Sequence, residues 1–154
     1  MNRAIISLSL VILALAAFSS STLAQRSPTP AIDRDPVLEQ DAKHNLDVAW
    51  QAFGPARKAY KQVLGRFEET YAAYPDFSKM DEFLYLAGMS SYYLSENKGK
   101  QKLDLKSAKD KDKYSPEKLK ENAVAYLSAI VDKYSDSKYR AEAESTLKLL
   151  KDEK

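Results

Sequence analysis

Two segments of the chain share one pattern of residues, and their tyrosines Tyr74 and Tyr134 lie 60 positions apart. Residues 71–79 read YAAYPDFSK and residues 130–138 read IVDKYSDSK. Each segment closes a stretch with apolar residues at helical spacing, passes through small and polar residues, and leads into another such stretch. A helix pair cannot bury its apolar face alone, so pairs of this kind stack on one another. The sequence therefore predicts an all-α fold, built as a short stack of antiparallel helix pairs with about five helices.

Apolar residues recur at steps of three and four between the chain's turn signals, and they place the helices. The five predicted helices cover residues 36–53, 55–74, 79–95, 116–134 and 139–150. Proline stands at the first position of three of them, and Pro75 breaks the hydrogen-bond ladder after the second. The third helix is apolar most of the way round, so we expect neighbours on more than one side of it.

The first 24 residues form a separate unit with the pattern of a secretory signal peptide. A short positive start is followed by an apolar core over residues 4–18 and by small residues before a cleavage point after Ala24. The alternative is an uncleaved anchor, but the core is shorter than the ~20 apolar residues of a spanning helix. We expect a protein exported across the inner membrane to the periplasm or cell envelope.

The remaining chain divides into a tether and one helical domain. Residues 25–36 contain three prolines among small and charged residues and predict a flexible, Pro-rich tether. The repeat domain covers residues 37–152, with a Lys-rich insertion at 96–115 that predicts a mobile loop or a weak helix. The chain has no cysteine, which excludes disulfides and zinc-thiolate sites.

The two repeated segments, which end the predicted second and fourth helices, resemble a known class of repeat. In the predicted fourth helix, Ala123, Leu127, Ile130 and Ser135 follow the offsets of small, large and terminal residues in the second helix of a tetratricopeptide repeat, with serine in place of proline. Over about residues 56–150 the chain resembles tetratricopeptide-like repeats of the BamD-type outer-membrane assembly lipoprotein family. The lipobox cysteine of that family is missing. The resemblance implies a tetratricopeptide-like α-solenoid, an envelope location, and a link to outer-membrane protein assembly.

Catalysis and bound cofactors are not expected. His44 is the only histidine, it lies on a polar stretch, and no nucleophile elbow is present. Asp110, Asp112 and Glu121 fall at positions one, three and twelve of a calcium-loop template, but Ser115 replaces its obligatory glycine. The sequence therefore predicts no enzyme, no cofactor and no metal. The net charge of +2 also gives no footprint for nucleic acid.

Aromatic residues of the predicted third helix are the candidates for binding a protein or peptide. Tyr85, Met89, Tyr92 and Tyr93 lie off its principal apolar stripe. First helices of stacked repeats line the concave surface, where aromatic side chains can anchor a partner segment. The alternative is that these residues are buried against the first or the last helix.

The Lys-rich insertion offers a second function of a different class. Residues 98–120 hold nine lysines against four acidic residues. Clustered ammonium groups could hold anionic lipid or a cell-wall polymer, which would make the chain a peripheral surface-associated protein. The candidate lysines are Lys98, Lys100, Lys102, Lys106, Lys109, Lys111 and Lys113. A solvated, flexible insertion is the alternative, and homo-oligomerisation through the exposed ends of the stack also stays open.

Overall fold

The computed structural model describes residues 33–152 except 102 and 105, and it leaves out the side chain of Lys109. The predicted signal peptide, 1–24, and most of the predicted tether lie outside the described residues. From Arg34 onward the chain forms one compact unit. Arg34 already belongs to it, since its Nε donates a 3.1 Å hydrogen bond to the carbonyl oxygen of Asp76.

The fold is all-α, as the sequence predicts. Six helices and no strands occur among the described residues. They are α1 (Pro36–Phe53), α2 (Tyr60–Ala73), α3 (Met80–Ser95), α4 (Ala108–Tyr114), α5 (Pro116–Lys133) and α6 (Arg140–Asp152). The count of about five helices omits α4, a seven-residue helix in the Lys-rich insertion, where the sequence predicts a mobile loop or a weak helix.

The second helix begins later than the sequence predicts. Residues 55–59 form a turn, in which the backbone nitrogens of Arg57 and Lys58 both donate to the carbonyl oxygen of Gly54. Lys58 adopts a φ of 44°, in the left-handed region that ends regular structure. The helix therefore restarts only at Tyr60, and the prediction of a start at Pro55 is wrong.

Consecutive helices pack as antiparallel pairs, and the pairs form a stack. α1 packs on α2, α2 on α3, and α5 on α6, while α1 also contacts α3 directly. The most extensive contact joins α3 to α5. Eleven of the 16 residues of α3 are buried, which confirms that this helix is covered on more than one side.

The two repeated phrases form the same turn. In the first, the Tyr74 nitrogen donates to the Thr70 carbonyl at 2.7 Å and the Phe77 nitrogen donates to the Tyr74 carbonyl at 3.3 Å. In the second, the Tyr134 nitrogen donates to Ile130 at 3.0 Å and the Ser137 nitrogen donates to Tyr134 at 3.0 Å. The sequence repeat is thus also a repeat of backbone geometry.

A carboxylate near the start of an earlier helix holds each of these turns, from α1 for the first and from α3 for the second. Glu39, near the start of α1, accepts a hydrogen bond from the Ser78 nitrogen at 3.3 Å. Asp81, near the start of α3, accepts one from the Ser137 hydroxyl at 2.6 Å. These contacts fix the first turn of α3 beside α1 and that of α6 beside α3. As a result α1, α3 and α6 lie along one side of the stack.

The insertion is attached to the stack rather than free of it. The Lys100 nitrogen donates to the Lys58 carbonyl at 3.1 Å, and the Lys61 nitrogen donates to the Gln101 side chain at 3.1 Å. The Lys61 ammonium lies 2.8 Å from the Asp110 carboxylate. Tyr114 closes α4 and is itself buried, with only 8% of its surface exposed.

Candidate functional site

Aromatic side chains from three helices and one turn form a continuous face along the side where α1, α3 and α6 lie. We call it the aromatic face. It contains seven rings, and the centroids of neighbouring rings lie 4.4 to 6.4 Å apart. The rings are those of Trp50, Phe53, Tyr60, Tyr85, Tyr92, Tyr93 and Tyr139.

Helical spacing explains why these rings meet. Trp50 and Phe53 are three residues apart on α1, so both project from one side of that helix and their rings meet at 5.9 Å. Trp50 also contacts Tyr85 of α3 and Tyr139, which directly precedes α6, at 6.4 Å each. Aromatic pairs of this kind contribute about 0.5–1.5 kcal/mol beyond the area they bury. The face is therefore a rigid part of the fold.

Two glutamates satisfy the polar ends of three rings of the face. The Trp50 indole Nε1 donates a 2.7 Å hydrogen bond to Glu82 Oε1. Burial raises the pKa of Tyr139, and its hydrogen bond with the same Glu82 raises that pKa further. Burial likewise raises the pKa of Tyr85, with Glu142 as its hydrogen-bond partner. These phenols are held neutral, and their orientation is fixed.

The four binding candidates from the sequence divide into two pairs. Tyr85 and Met89 are buried, with 7% and 4% of their surface exposed, because Tyr85 stacks on Tyr139 at 4.4 Å and Met89 lies against Thr146 of α6. For these two residues the structure shows the alternative to partner binding, namely burial against the last helix. Tyr92 and Tyr93 are only partly buried and remain open to a partner.

Sequence reasoning missed four members of the face. They are Trp50, Phe53, Tyr60 and Tyr139, of which Trp50, Phe53 and Tyr139 are partly exposed. A signal was present in the repeated turn segment, because Tyr139 follows Tyr134 by five positions and so takes the place of Lys79, which follows Tyr74 by five positions and directly precedes α3. Repeat alignment would have placed Tyr139 beside α3.

A groove lies at one end of the aromatic face, between the turn that follows α1 and the end of α3. Its open volume is about 460 Å³. The residues that line it are Phe53, Gly54, Pro55, Lys58, Tyr60, Tyr93 and Lys98. The lining combines aromatic rings with two basic residues, Lys58 and Lys98. Of the described residues that line it, none is acidic.

The candidate lysines of the insertion have different surroundings. The Lys98 ammonium lies 5.3 Å from the centre of the Tyr92 ring, and the Lys100 ammonium donates to the Ala56 carbonyl at 2.8 Å. Lys113 is paired with Glu68 of α2, which raises the pKa of Lys113. Lys106 and Lys111 are exposed. Lys102 and the side chain of Lys109 lie outside the described residues.

His44 is exposed on α1. No group of three or more histidine or acidic side chains within the described residues is placed to hold a metal ion. Among the same residues, no helix combines the length and the apolar run that crossing a bilayer would require.

Comparisons with known proteins give no relative for this chain: no family model, no curated protein and no solved structure matches it. What defines the molecule is thus its own architecture, an all-α stack of helix pairs with an aromatic face along one side. The resemblance to tetratricopeptide-like repeats of the BamD type stays a prediction.

Proposed function

We propose that this chain is an exported, non-catalytic protein-binding module or scaffold of the cell envelope. The observation that carries the proposal is the aromatic face, which spans three helices and leaves Trp50, Phe53, Tyr92, Tyr93 and Tyr139 partly exposed. Exposed rings that form one continuous surface, rather than standing singly, are typical of protein interfaces.

The face is suited to binding because its rings are already ordered. A partner would not have to fix them on docking, which lowers the entropic cost of association. Tyrosine and tryptophan also combine a large apolar area with a polar tip, and they are the residues that most often dominate interface energies. Affinity would come from burial of these rings, and the surrounding charged residues would set the orientation of the partner.

The proposed location and cellular role of this chain are argued from its sequence. The pattern of residues 1–24 supports export, and the resemblance to the BamD-type family supports an envelope setting linked to outer-membrane protein assembly. The partner would be a protein or peptide. A second copy of the chain and a longer repeat protein are both open as partners.

A pull-down with chemical cross-linking from envelope fractions tests the proposal. The wild-type chain is compared with Tyr92→Ala, which removes a partly exposed ring from the face. The matched control is Tyr71→Ala, which removes a half-exposed tyrosine from α2, where its ring stacks on Phe67 away from the aromatic face. Thermal melting of each variant shows that it is folded.

We expect Tyr92→Ala to lose the cross-linked protein and Tyr71→Ala to keep it. Capture by the wild-type chain should change little between low and physiological salt. Capture that survives both changes would contradict the proposal. Binding to anionic vesicles or cell-wall polymer that falls steeply with salt, and with neutralisation of Lys106 and Lys111, would instead favour the surface-associated function.

A further inference from the structure

The groove at the end of the aromatic face combines an apolar surface with positive charge, and together these suit one kind of peptide segment. Phe53, Tyr60 and Tyr93 supply an apolar floor, with ring centroids 5.4 to 6.1 Å apart. Lys58 and Lys98 supply positive charge at its rim. Its open volume of about 460 Å³ has room for a large side chain and the neighbouring backbone.

Contacts hold the Lys98 ammonium and the Lys58 backbone in place beside the groove. The Lys98 ammonium lies 5.3 Å and 5.9 Å from the centres of the Tyr92 and Tyr93 rings, where cation–π attraction holds it over the face. On the opposite side the backbone of Lys58 is tied to the insertion through Lys100. The ion pairs between described residues involve neither Lys58 nor Lys98.

The backbone conformation of Lys58 independently indicates that its side chain has a function. Its φ of 44° lies in the region that favours glycine, and a lysine there is strained. Strain of this kind concentrates at binding sites, where the side chain is needed despite it. A glycine would satisfy the turn but would remove one of the two rim charges.

We propose that this groove binds a segment of a partner protein in which a large apolar side chain stands next to one or more acidic residues. The apolar side chain packs on Phe53, Tyr60 and Tyr93, and the carboxylates pair with Lys58 and Lys98. Charge complementarity selects an acidic occupant, because the groove's rim is basic and its described lining contains no acid. The inference rests on the proposed function and names the chemistry of the partner at one end of the face.

Three short peptides test it, each acetylated at its N-terminus and amidated at its C-terminus so that only side chains carry charge. The first has a phenylalanine between two aspartates, the second has asparagines in place of the aspartates, and the third has an alanine in place of the phenylalanine. Binding to the purified chain is followed by changes in backbone amide chemical shifts, which report the location of the peptide as well as its affinity.

We expect the first peptide to shift the amides of residues 53–60 and 93–99 and to bind roughly fivefold more tightly than the second at low salt, since exposed ion pairs contribute modestly. The preference should shrink as salt rises. The third peptide should not bind. Lys58→Gly, which also relieves the strained φ, and Lys98→Gln should each reduce the preference, whereas Lys111→Gln, which does not line the groove, should leave it unchanged.

Equal binding of the first two peptides at this groove would overturn the acidic preference and leave the binding module intact. Shifts confined to other parts of the aromatic face, or no shifts with any peptide, would overturn the site, and the pull-down would decide the proposed function separately. If the groove amides shift with protein concentration alone, a second copy occupies the groove and the proposal of a different partner is wrong.

Discussion

Gly88 lies in the buried middle of α3, where a side chain would meet Leu127 of α5. A Cβ built on Gly88 would come within 2.7 Å of the Leu127 Cγ and Cδ2 atoms, and Leu127 is fully buried. Overpacking of a core costs about 1–3 kcal/mol, which outweighs the gain of about 1 kcal/mol from a better helix former. We expect Gly88→Ala to lower the free energy of unfolding, by up to about 2 kcal/mol.

Gly65 provides the matched control for that substitution. It also lies inside a helix, α2, but nothing stands within 4 Å of an added Cβ. Gly65→Ala should therefore raise the free energy of unfolding by about 0.5–1 kcal/mol. Urea unfolding of both variants measures the two values. A Gly88→Ala variant as stable as Gly65→Ala would show that α3 and α5 do not pack this closely.

At the scale of single elements, α4 differs from the other helices. It has seven residues, its packing against another helix is confined mainly to α5, and its remaining anchors include the ion pair between Lys61 and Asp110. Partly exposed pairs of this kind contribute about 1 kcal/mol or less. We expect the amides of α4 to exchange hydrogen by local opening, well before those of α3, which open only on global unfolding.

Hydrogen exchange of the native chain checks this order. Lys61→Ala should speed exchange in α4 and leave α3 and α5 unchanged. Exchange of α4 at the rate of α3 would mean that the insertion folds as part of the central core.

Some features of the fold follow from residues that are neighbours in the sequence, and others follow from contacts between distant residues. Only features of the first kind could be predicted from the sequence. Pro36 and Gly54 bound α1, and Ser115 caps α5 through a 3.3 Å hydrogen bond from the Lys118 nitrogen, so these boundaries follow from nearby residues. The α4 helix and the late start of α2 depend on contacts about 40 positions apart, such as that between Lys58 and Lys100. No local pattern reports contacts of that kind.

The candidate site was only partly accessible to prediction for the same reason. Tyr92 and Tyr93 could be identified because α3 is apolar on two sides. The roles of Trp50 and Tyr139 depend on which helices become neighbours in the stack, and their shared partner Glu82 comes from a third element.

At the scale of the whole molecule, buried phenols make the fold sensitive to alkali. Burial raises the pKa of each of the following residues: Tyr60, Tyr85, Tyr93, Tyr126, Tyr134 and Tyr139. Below the unfolded pKa of about 10 these phenols are protonated in both states, so their contribution to stability is fully present. Above it the unfolded chain loses protons that the folded chain retains. The free energy of unfolding should therefore fall as pH rises past about 10.

Urea unfolding between pH 8 and pH 11 measures this loss. Tyr85→Phe should reduce its steepness, because one of the phenols held neutral in the fold is gone. Tyr71→Phe, which changes a half-exposed ring, is the comparison variant. A free energy of unfolding that stays constant up to pH 11 would contradict the burial of these phenols.

We propose that the aromatic face, formed by rings of α1, α2, α3 and the turn before α6, binds a partner. Site-specific photo-cross-linking in intact cells checks this, with a photoreactive phenylalanine analogue at Tyr92 on the face or at Tyr71 on α2. We expect a discrete cross-linked protein from position 92 and none from position 71. Cross-links from position 71 alone, or the same products from both positions, would contradict it.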